Sequence, residues 1–369
     1  MKYKLGSLIT YKKGYAFKSK DRVSKQDGIP VIKVKNFSDD GIDQNFDTFM
    51  PLSFYQKFSK YLLNDNDILI QTVGSWPQQS SSAVGKVVRY RNLDNRPKLL
   101  NQNIVNIASL DQKFLDEDYL YWMLKSNKFG DYISGVAQGS ANQASITLNS
   151  IFNYWIDLPE INTQKKIASI LNLFDNNIFL NNQINANLLE LSKTLFIKKF
   201  GNTNGDKHIK DYLSPKRGKN LLKKNVVKGS IPVIAGGLHP AAYHNKSNTG
   251  SPVITISASG ANAGFVNIWL NRVWSSDSSF IDPSVTDNVY FWYLLLKNRQ
   301  KEIFDSQTGS AQPHIYPKHI ENMPVRKFDN DLIAEFNGLV TPIFENIGAN
   351  LVERRNLNQI KNELLNKLF

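Results

Sequence analysis

Between Thr163 and Phe200, apolar residues recur at Ile167, Leu171, Phe174, Ile178, Leu188, Leu191 and Leu195, in steps of four and three on either side of an asparagine-rich middle. The same rhythm returns at Phe336, Val340, Ile343, Ile347, Leu357, Ile360 and Leu364. Stripes this narrow predict two long helices, and each stripe needs a helical partner to cover it. The nearest partner is the other copy in the same chain, so the pattern predicts an antiparallel coiled coil. Asn181 and Asn350 fall at matching seam positions. A buried seam asparagine commonly sets register, whereas two solvent-facing ones would be ordinary surface residues.

Ahead of each stripe the pattern changes to short Val- and Ile-rich runs between turn residues, which predict strands. In the first half these are Ile29 to Val34, Ile68 to Val73, Lys86 to Tyr90 and Ile104 to Ala108. In the second half they are Ile231 to Ala235, Val253 to Ser257, Gly264 to Trp269 and Val273 to Ile281. Tyr119, Trp122, Met123, Phe129 and Ile133 have helical spacing, as do Val289, Trp292, Leu296 and Ile303, and the two equivalent tryptophans read as core. The expected fold is α+β, two similar globular domains each followed by a long helix.

The halves are copies. Gly139-Ser140-Ala141-Asn142-Gln143-Ala144-Ser145-Ile146 returns as Gly309-Ser310-Ala311-Gln312-Pro313-His314-Ile315, and the offset then stays at 169 from Gln143/Gln312 to Phe200/Phe369. Upstream, Lys12-Lys13-Gly14 matches Lys216-Arg217-Gly218, and Gly28-Ile29-Pro30-Val31-Ile32 matches Gly229 to Ile234 less one residue. From Gly14 to Gly139 is 125 residues and from Gly218 to Gly309 is 91, so the first half is longer by 34, expected mostly in connecting loops. Self-similarity on this scale decides the architecture. The expected segments are 1–158 and 203–327 for the domains, and 159–202 and 328–369 for the helices. A shared frame with divergent loops suggests two sites of one kind directed at two different targets.

Charge says what kind of target. The net charge is +13. Basic residues outnumber acidic ones by 20 to 16 in 1–160, 5 to 2 in 161–200 and 16 to 8 in 201–327, and trail by 4 to 6 in 328–369. Such a chain attracts polyanions, nucleic acid foremost, although a merely solubilising surface would show the same excess. Nothing resembling an apolar export segment follows the first lysines, and no run of about 18 apolar residues occurs, so no membrane span is expected and the cytoplasm is the default location.

A search for chemistry finds little. The chain has no cysteine. It also has no phosphate-binding GxxxxGK[ST], no GxSxG, HExxH or GxGxxG, and no Asn/Asp-Pro-Pro-Tyr/Phe tetrapeptide. His239 and His244 alone do not make a metal site. The expectation is a protein that acts by binding.

For phosphate contacts the candidates are Lys12, Lys13, Lys18, Lys20, Arg22 and Lys25 beside Tyr11, Tyr15 and Phe17, matched by Lys216, Arg217, Lys219, Lys223, Lys224 and Lys228. For base contacts they are the glycine-bracketed loops, Gly74 to Gly85 with Ser75, Trp76, Gln78 and Gln79, and Gly260 to Gly264 with Asn262, preceded by Ser259. Glutamine and asparagine can pair bidentately with adenine, and glycine lets backbone approach a ligand. Lys86, Gln143, His239, Gln312 and His314 complete the candidate DNA-contacting set. Two ordinary surface loops would be the alternative. A helix of roughly 34 residues spans about 50 Å at 1.5 Å per residue, enough to hold two DNA-reading modules about 34 to 36 Å apart.

Two variable basic modules, each closed by Gly-Ser-Ala…Gln-x-x-Ile and a long helix, resemble the specificity subunit of type I restriction-modification systems. Pro159…Gln164-Lys165-Lys166-Ile167-Ala168-Ser169-Ile170-Leu171 is similar to that family's entry into its first spacer helix. The second helix begins Asp331-Leu332-Ile333-Ala334-Glu335-Phe336 and departs from the signature, and Asn142 is an extra residue in the first turn. The resemblance implies two target-recognition domains, each reading half of a bipartite asymmetric site in double-stranded DNA, and helices that dock two methyltransferase subunits. It further implies that S-adenosylmethionine, and ATP with Mg, belong to partner subunits, restriction subunits among them, and that this chain binds no cofactor and is not itself an enzyme. The competing expectation is a non-catalytic two-lobed scaffold or regulatory DNA-binding protein acting without a methyltransferase.

Overall fold

In the computed structural model, the described residues are 2–39, 41–76, 83–140, 143–309 and 312–369. They form two compact units, Met1–Phe179 with Asn356–Phe369, and Leu180–Arg355. Each unit therefore holds one lobe and parts of both long helices, a division that cuts across the segments read from the sequence.

The same frame is built twice. The first lobe has a four-stranded antiparallel sheet in the order Ile9–Lys13, Ile104–Ser109, Ile68–Gln71, Val87–Arg89. The second has Lys216–Arg217, Ser278–Ile281, Val253–Ser257, Val266–Trp269 in the same order and sense. Three-stranded sheets also correspond, each with a central strand, Gly28–Ile32 or Ile231–Ile234, that has one parallel and one antiparallel neighbour. A short pairing closes each lobe, Lys2–Lys4 with Trp155–Asp157 and Lys207–His208 with Pro324–Val325. Expected strand positions hold to within a few residues, except that the run from Val273 to Ile281 breaks into Trp274–Ser275 and Ser278–Ile281.

About half of the 34 extra residues of the first lobe fall between Ile32 and Ile68, where 35 residues stand against the 18 between Ile234 and Val253, and this stretch is not bare loop. The segment between Ile32 and Ile68 folds a hairpin, a helical turn at Phe54–Lys57 and two small cores, one holding Phe37 and Leu63 and the other Met50 and Phe58.

Each unit also has its own main core. Trp122 is fully buried in the first and Trp292 nearly so in the second, as expected. The helix Glu117–Lys125 starts where it does because Asp116 Oδ1 accepts from the Tyr119 amide at 2.9 Å and two acids follow, which suits a helix N-terminus.

The first long helix is Ile161–Phe200 and the second Asn330–Leu368. In the second unit they run antiparallel, with Lys199 bonded to Glu335, Asn185 to Asn350 and Asn182 to Arg354. In the first unit Asp175 bonds to Lys361. Phe174, Ile167, Leu188, Leu195, Ile343, Ile347, Leu357 and Leu364 are half-buried, while Leu171, Ile178, Phe336 and Val340 are buried. Leu191 and Ile360 are instead exposed, and Ser192, Phe196 and Leu365 are covered. The stripe read from the sequence thus slips by one residue beyond the asparagine-rich middle, because a 3.5-residue repeat drifts about 20° per heptad against a 3.6-residue helix.

Asn181 is buried and donates to Glu353 at 3.1 Å, and Asn350 donates to Asn185 at 2.8 Å. The two seam asparagines therefore do not pair with each other; each reaches a polar side chain of the opposite helix.

Candidate nucleic-acid interface

In the second unit, four loops meet at one end of the four-stranded sheet. The turn 275–278 is tied to the end of the strand Val253–Ser257 by the Ala258 amide donating to Asp277 O at 3.1 Å. The hairpin after Thr308 is closed by reciprocal backbone bonds between Thr308 and His314 at 2.8 and 3.1 Å, and docks by Ile315 N to Ala258 O and Gly260 N to Pro313 O. Gly309 sits at φ +95°, and a Cβ there would lie 2.6 Å from Gln312 O. Only glycine makes this turn without strain, which is why the motif recurs.

Side chains converge on Asp277. Arg217 Nη2 donates to Asp277 Oδ1 at 2.9 Å, and Ser259 Oγ donates to Oδ2. The Arg217 guanidinium lies 6.0 Å from the Tyr316 ring centre. Tyr316 stacks between His314, at 5.8 Å and 10°, and His319, at 5.7 Å and 23°. Gln312 and Tyr316 are exposed at this rim. The loop carrying exposed His239 comes close here, since a Cβ at Gly236 would sit 2.6 Å from Ser259 O. Asn262 is half-buried and its carbonyl closes a turn with the Phe265 amide. Lys219 and Lys223 are exposed, the former on backbone held by Trp274 Nε1 donating to Lys219 O at 2.8 Å.

The first unit repeats the scaffold with other side chains. Gln138–Ser140 and Gln143–Ser145 form the hairpin, which pairs with Val73–Gly74. Gly139, with φ +157°, is required because a Cβ would lie 2.0 Å from Gln143 O. Trp76 Nε1 donates to Ser140 O at 2.8 Å, pinning the loop to the hairpin. Ser75 is half-buried there and Gln143 exposed, whereas Gln78 and Gln79 lie outside the described residues.

Lys13 pairs with Val105 on the edge strand, the place that Arg217 takes against Ser279. Asn103, whose carbonyl accepts from Thr72 N, corresponds to Asp277. Lys13, Lys18 and Lys20 are exposed, but Lys86 is mostly covered and bonds Asp39 at 2.7 Å. That hydrogen bond, with the lysine's charge, holds the Asp39 carboxyl below its ordinary pKa.

Of the residues singled out from the sequence, the fold brings Arg217, Ser259, Gln312 and His314 to one rim, beside Asp277, Tyr316 and His319, which the sequence did not single out. Asp277 lies in a serine run with partners 60 and 18 residues away in sequence, so no local spacing marks it.

Side-chain amides tie the long helices to their lobes, Gln164 fully buried and Asn337 half-buried. Gln164, in the first-helix signature, accepts from the Asp116 amide at 3.0 Å and donates to Phe114 O and Pro159 O at 3.0 and 2.9 Å. The second helix does this one turn later, where Asn337 Oδ1 accepts from the first-turn amides of Tyr290 and Phe291 at 3.0 and 3.2 Å. In the first unit Asp175 binds Arg91 of the lobe and Lys361 of the second helix. Burial alone would raise the Asp175 pKa, but those two cations outweigh it and hold it below the usual value. On the first helix Ile170 and Leu173 in the first unit, and Leu180, Ile184 and Leu191 in the second, remain exposed.

Among the described residues, no group of three metal-ligating side chains is positioned to hold an ion, and no helix is long and apolar enough to cross a membrane.

The Type I restriction modification DNA specificity domain family matches residues 1–190. The chain is 28% identical over 265 residues to a Methanocaldococcus jannaschii protein named for the MjaX type I restriction enzyme specificity subunit, covering 70% of this chain but only 57% of that protein. It is 26% identical over 327 residues to the MjaIX type I restriction enzyme specificity subunit of the same organism, covering 76% of this chain and 74% of the relative. Its fold is similar to that of a type I restriction-modification S subunit from M. genitalium, with a TM-score of 0.62 at 19% identity over 100% of this chain and 96% of that one. With more than half of its length matched, and the duplicated frame in place, the chain belongs to the type I restriction-modification DNA specificity family.

Proposed function

We propose that this chain is the DNA specificity subunit of a type I restriction-modification complex, non-catalytic in itself, in which each lobe reads one half of a bipartite asymmetric site. The observation that carries this is the duplicated rim. One backbone frame presents Arg217, Asp277 and Ser259 in one lobe where Lys13, Asn103 and Val73 stand in the other. A frame preserved while its rim side chains differ is what reading two different sequences requires. The basic excess of both lobes supplies phosphate affinity, to which exposed Lys13, Lys18, Lys20, Lys219 and Lys223 contribute.

In this reading 1–158 and 203–327 are the target-recognition domains, and 159–202 and 328–369 are spacer helices that set the unread gap. A helix of 40 residues spans about 60 Å at 1.5 Å per residue, ample for half-sites one turn of B-DNA apart. Exposed Leu180, Ile184 and Leu191, all within the second unit, offer an apolar surface for methyltransferase subunits. Those subunits would bring S-adenosylmethionine, and restriction subunits ATP with Mg, in the cytoplasm where the DNA is.

Co-expression with a cognate methyltransferase subunit, followed by mapping of modified adenines, tests the reading. One motif of two half-sites with a constant gap is expected, each mismatch costing about 1 to 3 kcal/mol of binding. Sequence-indifferent DNA binding would refute it and favour a scaffold.

A further inference from the structure

We propose that Arg217, positioned by Asp277, reads a guanine in the half-site assigned to the second lobe, whereas Lys13 at the matching place in the first lobe is a phosphate contact. This rests on the proposed DNA-reading role of the rim.

The two positions are equivalent on their edge strands, yet their surroundings differ in charge. Arg217 bonds Asp277 at 2.9 Å, and the opposite carboxylate oxygen is held by Ser259. Asp277 is fixed in turn by backbone, its carbonyl accepting from the Ala258 amide. The guanidinium also faces the exposed Tyr316 ring, which is wedged between two histidines. Lys13 has Asn103 in place of the acid.

A residue that serves only to bind phosphate is weakened by an adjacent carboxylate, because the two charges largely cancel and the acid repels the DNA backbone. A residue that reads a base loses little. Guanine O6 and N7 are neutral acceptors, recognised by a directed pair of N–H donors, and a guanidinium keeps donors to spare while bonded to one carboxylate oxygen. Holding the fork in place before binding also reduces the ordering cost on contact. The Arg217–Asp277 pair therefore gives up non-specific attraction and retains geometry. A lysine with no acid bonded to it among the described residues, a flexible point charge, suits the opposite task.

The test uses the full chain with its methyltransferase subunit, titrated against duplexes carrying the mapped site and every single-base change in it, at several salt concentrations. Arg217→Lys keeps the charge and removes the fork. It should lose about 5- to 150-fold discrimination at one G·C pair of one half-site, leave the other half-site unaffected and hardly alter the salt dependence. Asp277→Asn should blunt discrimination at that same pair while binding to unrelated DNA holds or strengthens. Lys13→Gln should weaken binding to all duplexes alike and lower the salt slope by about 0.9, the value of one phosphate.

Full discrimination in Arg217→Lys, or in Asp277→Asn, overturns the proposal. So does uniform weakening by Arg217→Gln with a salt slope reduced by about 0.9, the signature of a phosphate contact. In those cases the wild-type chain still prefers one bipartite site. If the wild type shows no such preference, the DNA-reading role itself fails.

Discussion

Asp175→Asn should release the C-terminal segment of the chain from the first lobe. The carboxylate lies 2.9 Å from Arg91 and 3.0 Å from Lys361, with side-chain exposures of 19% for Asp175, 19% for Arg91 and 12% for Lys361. The substitution preserves shape and deletes the charge, leaving two cations facing each other. Removing one partner of a buried pair typically costs about 3 to 5 kcal/mol. Here some solvent reaches the group, Arg91 keeps Asn176 at 3.0 Å and the Phe179 ring at 4.0 Å, and Lys361 keeps the Trp122 ring at 5.8 Å. The expected loss is therefore about 2 to 3 kcal/mol, below that range.

Hydrogen exchange should read this as roughly 30- to 150-fold faster opening of amides in 356–369, with amides near Phe336 and Val340 in the second unit unchanged. A double-mutant cycle with Lys361→Met should give a coupling energy of at least about 1 kcal/mol. Because the folded-state pKa of Asp175 is depressed, its stabilisation is complete above the unfolded carboxylate pKa of about 3.9 and is lost as pH falls through the lower folded value. Additive costs in the cycle, or faster exchange spread evenly over both units, would refute the reasoning.

Gly139→Ala and Gly309→Ala each place a side chain against a carbonyl at a positive φ that side chains rarely adopt, and each should cost about 1 to 3 kcal/mol by denaturant titration and weaken discrimination in its own half-site alone. Leu180→Glu with Ile184→Glu should abolish co-purification with the methyltransferase subunit while leaving the melting temperature within a degree or two, since both side chains are nearly half exposed. Inserting about four residues beside Asn181, close to one helical turn, should lengthen the gap between half-sites in the methylation map and leave both half-sites unchanged.

The sequence revealed what repeats. The 169-residue offset, the glycine turns and the helical stripes are local or periodic, and each reappears in the fold. Partnerships between distant residues with no periodic mark stayed hidden. Asp277 is one acid among serines, and Arg91, Asp175 and Lys361 sit in three separate elements. The opening strand Lys2–Lys4 is too short to show alternation and exists because Trp155–Asp157 pairs with it. Leu191 and Ile360 misled because a fixed stepping of four and three was carried across the asparagine-rich middle, where helix and heptad fall out of phase. Gln164 was visible as a signature residue, but its work, satisfying two carbonyls and an amide at the helix entrance, needs three dimensions to see.

Exchange of residues 203–327 for the equivalent domain of a relative with a different site, followed by mapping of methylated adenines, tests the central claim most directly. Divided labour between two lobes on a fixed spacer predicts that one half-site changes to the donor's while the other half-site and the gap stay as they were. A map in which both half-sites change, or neither does, contradicts it.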